Sequence, residues 1–268
     1  MLDVTEKALD LINQGCALMA QQQYESALEK FKSAQEDSPK HVDCYVNLGN
    51  VFSCMEKYDE ALENFKKALM LDEKSSSILF DIGNIMYLKG DKVEAIKYYN
   101  KADECGQLSA DMCDVIAELF SDEGEYIQAL RYINRAIKID PMHGEYYLEK
   151  AQIFVDQQKA DEALETLQEL NKLIPDAYEA YDMISEIYTI QKDYENALGI
   201  VEKGIKRFSD DVNLCYLKAR VLSKFEKDKL VLEYIKGLKK NGMYGKRESD
   251  FALLEADSYL RANEPNNR

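Results

Sequence analysis

The sequence is short of the residues that most chemistry needs. It has two histidines, His41 and His143, which leaves little room for imidazole acid–base work or for a histidine-bearing metal site. Its six cysteines, Cys16, Cys44, Cys54, Cys105, Cys113 and Cys215, form no CxxC pair, so they read as reduced thiols of a cytoplasmic protein rather than as metal ligands or a disulfide framework. There is no GxxxxGK[ST] phosphate loop, no GxSxG elbow and no dinucleotide fingerprint, and Gly237, Gly242 and Gly245 read as turn residues. No apolar run approaches the roughly 18 residues that cross a bilayer. The N-terminal stretch MLDVTEKALDLINQG carries acids early and no basic stretch before an apolar run, so no signal peptide is expected. Basic residues are outnumbered: 34 Lys and Arg against 50 Asp and Glu give a net charge of −16, which argues against a nucleic-acid backbone or an anionic membrane as partner. Proline occurs four times in 268 residues, so few helix breaks are forced.

What is present is a period. Ala27, Ala61, Ala95, Ala129, Ala163 and Ala197 recur every 34 residues. Twelve residues before them stand Gly15, Gly49, Gly83, Ala117, Ala151 and Ser185, all small. Four residues after them stand Phe31, Phe65, Tyr99, Ile133, Leu167 and Val201, all large and apolar or aromatic. Seven after them come Ala34, Ala68, Ala102, Ala136, Leu170 and Gly204, and Pro39, Pro141 and Pro175 close three of the units. Each unit reads as two amphipathic helices, for example Asp43 to Met55 and Tyr58 to Leu71, with residues such as Tyr45, Leu48, Gly49 and Phe52 forming the stripe that packs on a neighbour. The small residues let two backbones cross closely.

A 34-residue, two-helix unit with these columns resembles the tetratricopeptide repeat, and Tyr45-Val46-Asn47-Leu48-Gly49-Asn50-Val51-Phe52 is close to that family's first-helix pattern. Six units start near Ala8, Val42, Ser76, Ala110, Gly144 and Tyr178 and cover residues 8–211. A degenerate seventh covers 212–241, with Ala219 small but Val231 in place of the second-helix Ala. The family's preferred Trp is replaced throughout, by Leu11, Tyr45, Leu79, Cys113, Tyr147, Tyr181 and Cys215. The resemblance implies an all-α, right-handed superhelical solenoid of antiparallel helix pairs, about fourteen to sixteen helices with no strand. The expected domains are a solenoid over 1–241 and, over 242–268, a capping helix from Glu248 to Leu260 followed by a frayed tail.

In the family, the second, fifth, ninth and twelfth residues of each first helix, roughly 140° from the packing stripe, line a groove for extended or helical peptides. Here that face offers Val46, Asn47, Asn50, Ser53, Phe80, Asn84 and Tyr87 in the second and third units, combining amide groups that donate and accept with aromatic surface. In the fourth to sixth units it offers Asp111, Asp114, Glu118, Glu145, Glu149, Glu179, Asp182 and Glu186, and no Lys or Arg among them. Such a wall would focus a field on a basic partner, although acids also solvate helix faces that bind nothing, and both readings stay open. The carboxylate clamp by which some family members grip a chaperone tail is absent: Ile12, Cys16, Ser77 and Asp81 stand where Lys, Asn, Lys and Arg would be required.

The expected function is therefore that of an adaptor, not an enzyme, with no cofactor and no metal. It binds a peptide or protein segment of basic character, and neither nucleic acid nor membrane. The alternative is a self-assembling scaffold. The segment Lys224 to Arg247 carries eight basic and three acidic residues, so it could dock weakly, head to tail, into the acidic groove of another copy.

Overall fold

The computed structural model describes residues 5–106, 108–209 and 211–263. The tail expected over 263–268 therefore lies, beyond Asn263, outside the described residues. Among the described residues there are fifteen α-helices, one 3-10 turn and no strand. The first-helix positions of the repeats are α1 (Glu6–Ala20), α3 (Val42–Cys54), α5 (Ser76–Leu88), α7 (Ala110–Asp122), α9 (Gly144–Asp156), α11 (Tyr178–Ile190) and α13 (Val212–Lys224). The second-helix positions are α2 (Tyr24–Asp37), α4 (Tyr58–Leu71), α6 (Lys92–Cys105), α8 (Tyr126–Ile139), α10 (Ala160–Leu173), α12 (Tyr194–Arg207) and α14 (Asp228–Lys240). The turn Tyr244–Arg247 and α15 (Glu248–Asn263) follow. Six of the seven first helices begin where the 34-residue frame places them; α1 begins two residues before Ala8.

The chain divides into two compact units, 1–116 and 117–268, with the boundary inside α7. In the first unit α1 packs on α2, α2 on α3, and so on to α6, while α1 also touches α3. In the second, α8 to α15 pack in chain order, first helices also meet directly, α9 with α11 and α11 with α13, and α13 touches α15. Within each unit the helices thus lean on their neighbours in sequence, the quasi-one-dimensional arrangement of stacked helix pairs.

The core follows the columns. The six alanines of the 34-residue frame are all fully buried. So are the large residues opposite them, Phe31, Phe65, Tyr99, Ile133, Leu167 and Val201, each shielding side-chain area worth about 1.5–3 kcal/mol. In the seventh unit Val231 holds the alanine position and Ile235 the large one, and both are fully buried.

The turn within each pair follows one design. The fifteenth residue of every unit has positive φ: Gln22, Glu56, Gly90, Gly124, Gln158, Lys192 and Glu226. The next residue's N–H returns to a carbonyl five residues back, as in Lys57 to Phe52, Glu125 to Phe120 and Asp193 to Tyr188. This closes the last turn of the first helix. A second recurring bond ties unit to unit. The hydroxyls of Tyr45, Tyr147 and Tyr181 donate to the carbonyls of Pro39, Pro141 and Pro175, at 2.9, 3.2 and 3.4 Å.

Candidate functional site

Each first helix carries its small and large packing residues on one side, which leaves its second, fifth, sixth, ninth, twelfth and thirteenth residues together on another. In the first unit this face is mixed. Asn47 is partly exposed, but its side-chain amide donates to the Asp43 carbonyl at 2.8 Å and its oxygen faces the Cys16 thiol at 3.7 Å. Asn84 accepts from the Tyr99 hydroxyl at 2.6 Å, which holds its oxygen inward and leaves its amide hydrogens for other partners. Asn50 is partly exposed. Tyr87 is exposed, as are Leu9 and Leu88.

Phe80 corrects the reading that it offers aromatic surface. It is buried, with its ring 5.3 Å from that of Tyr99. The helix wheel places its Cβ on the face, but the neighbouring Tyr99 draws the ring into the core.

Asp81, on α5 beside Phe80, is partly buried, and burial pushes its carboxyl up to about 6. No cation is paired with it among the described residues. The sixth and thirteenth helix positions, which supply Asp81 and Leu88, lie within the same arc as the second and ninth. A wider wheel would have included them.

Of the acids, Asp111 is exposed and Asp114 partly buried on the part of α7 that belongs to the first unit. In the second unit Glu118, Glu145, Glu179 and Glu186 are exposed, while Glu149 and Asp182 are partly buried. Apolar side chains lie among them: Leu148, Val155 and Met183 are partly exposed and Ile190 is 72% exposed. Burial pushes the Asp182 carboxyl up, and Glu186 adds to this, while Arg220 at 3.8 Å and Arg247 hold it down. Burial also pushes the nearby Tyr178 phenol up to about 12, with Asp182 contributing. The seventh unit thus meets the acidic face with a cation, Arg220, at the ninth position of α13.

The histidines sit at the N-caps of α3 and α9. His143 stacks on Tyr146 at 4.2 Å and reaches Glu145 at 3.3 Å. Among the described residues no group of three or more His, Cys, Asp or Glu is placed to hold a metal ion, and no helix is long and apolar enough to cross a membrane.

Sequence profiles described as the tetratricopeptide repeat match residues 2–74, 55–110 and 121–185. The chain belongs to the tetratricopeptide-repeat family. Solved structures of the family carry the same fold. The C-terminal part of a TPR repeat-containing protein from Cytophaga hutchinsonii aligns with a TM-score of 0.64 at 17% identity, over 96% of this chain and 96% of that one. A tetratricopeptide repeat protein from Parabacteroides merdae aligns with a TM-score of 0.59 at 18% identity, over 95% of this chain and 100% of that one. YrrB, described as a TPR protein with an unusual peptide-binding site, aligns at 0.55 and 23% identity, over 66% of this chain and 91% of its own. No curated protein matches the chain. Tetratricopeptide repeats serve in general as protein–protein interaction modules, and this chain has that architecture.

Proposed function

We propose that this tetratricopeptide-repeat protein is a cytoplasmic, non-catalytic adaptor that binds a basic segment of another polypeptide on the acidic face of its first helices α9 and α11. The observation that carries this reading is the face of α9 and α11. There Glu145, Glu149, Glu179, Asp182 and Glu186 surround the partly exposed Leu148, Val155 and Met183 and the exposed Ile190. Carboxylates set around apolar side chains suit a segment that alternates Lys or Arg with aliphatic residues, because charge then steers the encounter and apolar contact holds it. The net charge of −16 turns the same face away from phosphate backbones and anionic lipids. YrrB supports the reading only in showing that the fold accommodates a peptide site. In this reading the repeats run to residue 241, and α15 is the helix that caps the last of them.

Self-assembly is the weaker reading: three of the eight basic side chains of Lys224–Arg247 are engaged within their own chain. Lys239 bonds both oxygens of Glu255 at 2.8 Å, Arg247 pairs with Asp250 at 2.7 Å and Lys227 lies over Phe225.

The test is fluorescence anisotropy of a labelled peptide of alternating lysine and leucine. The chain and its Glu145→Lys, Glu179→Lys, Glu186→Lys triple variant are compared at low and high salt. Binding should weaken with salt, which screens exposed charges over about 8 Å at physiological ionic strength. The reversal should slow association more than it speeds dissociation. Salt-independent binding that favours a neutral or acidic peptide overturns the proposal.

A further inference from the structure

One basic side chain of the C-terminal segment, Arg247, is held against a first helix. The turn Tyr244–Arg247 brings Arg247 onto α13. There its guanidinium carbon lies 4.2 Å from the centre of the Tyr216 ring and its Nη1 donates to Asn213 Oδ1 at 3.2 Å. Its Nε donates to Asp250 Oδ2 at 2.7 Å. Asn213 and Tyr216 are the second and fifth residues of α13, the positions that carry Glu179 and Asp182 on α11. They therefore belong to the same face as the acids, and Arg247 adds to Arg220 in holding the Asp182 carboxyl down.

The three groups suit an arginine better than a lysine. A planar guanidinium can lie flat on an aromatic ring and donate sideways to an amide oxygen at the same time, whereas an ammonium is a point charge that makes no planar stack. Asp250 lies three residues from Arg247 on the same segment, so the guanidinium keeps a carboxylate within reach when it swings off the Tyr216 ring. The Arg247 side chain is 31% exposed, which keeps the pair in the weak, solvent-screened regime.

We propose that Asn213 and Tyr216 form an arginine subsite on the exposed face of α13, and that Arg247 occupies it in cis until an arginine of a partner segment displaces it. This rests on the reading of that face as a site for basic segments and adds two things to it: a preference for arginine over lysine at one position, and a built-in competitor that sets the affinity.

The experiment measures binding of two labelled peptides, one of alternating glycine and arginine and one of alternating glycine and lysine, to the full chain and to its Arg247→Ala, Arg247→Lys and Tyr216→Leu variants. Far-UV circular dichroism and melting check each fold. Removing the competitor should tighten the arginine peptide by about threefold to tenfold, the factor by which the competent state is under-populated. Arg247→Lys, which keeps the charge and the stem, should tighten it by less, and Tyr216→Leu should erase the preference for arginine over lysine. In the unmodified chain, the NMR signal of the Arg247 Nε–H should move to its solvent-exposed position as the arginine peptide saturates the site. Equal affinity of the wild type and both Arg247 variants for the arginine peptide, with that signal unmoved, overturns the subsite and leaves the broader face standing. Failure of every form to bind either peptide overturns both.

Discussion

Gly49 lies directly beneath the ring of Phe65: a Cβ on Gly49 would stand 2.6 Å from Phe65 Cε1. Gly15 under Phe31 and Gly83 under Tyr99 repeat the relationship at 2.4 and 2.5 Å. The two columns trade volume. Where the eighth residue of a unit is Gly, the twenty-fourth is aromatic. Where the eighth is Ala117, Ala151, Ser185 or Ala219, the twenty-fourth is Ile133, Leu167, Val201 or Ile235. Gly49→Ala should therefore destabilise the protein by about 1–3 kcal/mol through overpacking. Combined with Phe65→Leu, it should cost less than the two changes separately, with a coupling of about 1 kcal/mol. Urea unfolding of the four proteins measures the cycle, and strict additivity would show that the ring can move aside.

Tyrosine at the fourth position and proline closing the preceding unit occur together, as Pro39 with Tyr45, Pro141 with Tyr147 and Pro175 with Tyr181. The hydroxyl satisfies the proline carbonyl at the junction. Tyr147→Phe keeps the ring and deletes only this bond, so it should cost about 0.5–1.5 kcal/mol. The same change at Tyr181, where the bond is 3.4 Å long, should cost less. Thermal melts that rank the two variants the other way would assign the effect to packing.

The turn residue at position fifteen is left-handed in all seven units, but only Gly90 and Gly124 adopt that backbone without strain. No atom lies within 4 Å of a Cβ added at Gly124, so Gly124→Ala should lose about 1 kcal/mol for conformational reasons alone. Gln158→Gly should gain a similar or smaller amount, offset in part by the freedom glycine gains in the unfolded chain. Denaturant midpoints test both signs, and a loss on placing glycine at 158 would mean that the Gln158 side chain contributes to the fold.

Asp81 makes stability depend on pH. Its folded pKa, about 6, lies above its ordinary value of 3.8 because burial disfavours the charge. The folded state therefore binds the proton more tightly than the unfolded one. The favourable contribution is full below about pH 4 and is lost as pH rises through about 6. Asp81→Asn should stabilise the protein at pH 7 by about 1–3 kcal/mol, and the gain should disappear toward pH 4. A gain that stays constant with pH would trace the effect to something other than the carboxyl.

The helix pairs, their starts and their crossings were legible in the sequence because each is a local or periodic constraint. A 34-residue frame of small and large residues requires two backbones to approach at one place and separate at another. Ala61 and Phe65 express that rule within a single helix. The candidate face was legible only as a set of helix positions. Tyr87 and several of the acids are exposed and Asn50 is partly so, whereas Phe80 is buried, because a ring at the fifth position can turn toward Tyr99 and gain more from burial than from exposure. The left-handed turns at Gln22, Glu56, Gln158, Lys192 and Glu226 carry no glycine to announce them.

The sequence by itself determined the repeat, its period, its helical content and the acidic surplus on one face, since these depend on spacing and charge that any reader can count. The tertiary structure decided the partners. Arg247 is 34 residues from Asn213 and 31 from Tyr216 along the chain, and the packing of α13, α14 and α15 brings them together. Whether a basic stretch is free to meet a second molecule or is already held by its own chain depends on those long-range contacts, which leave no periodic trace in the sequence.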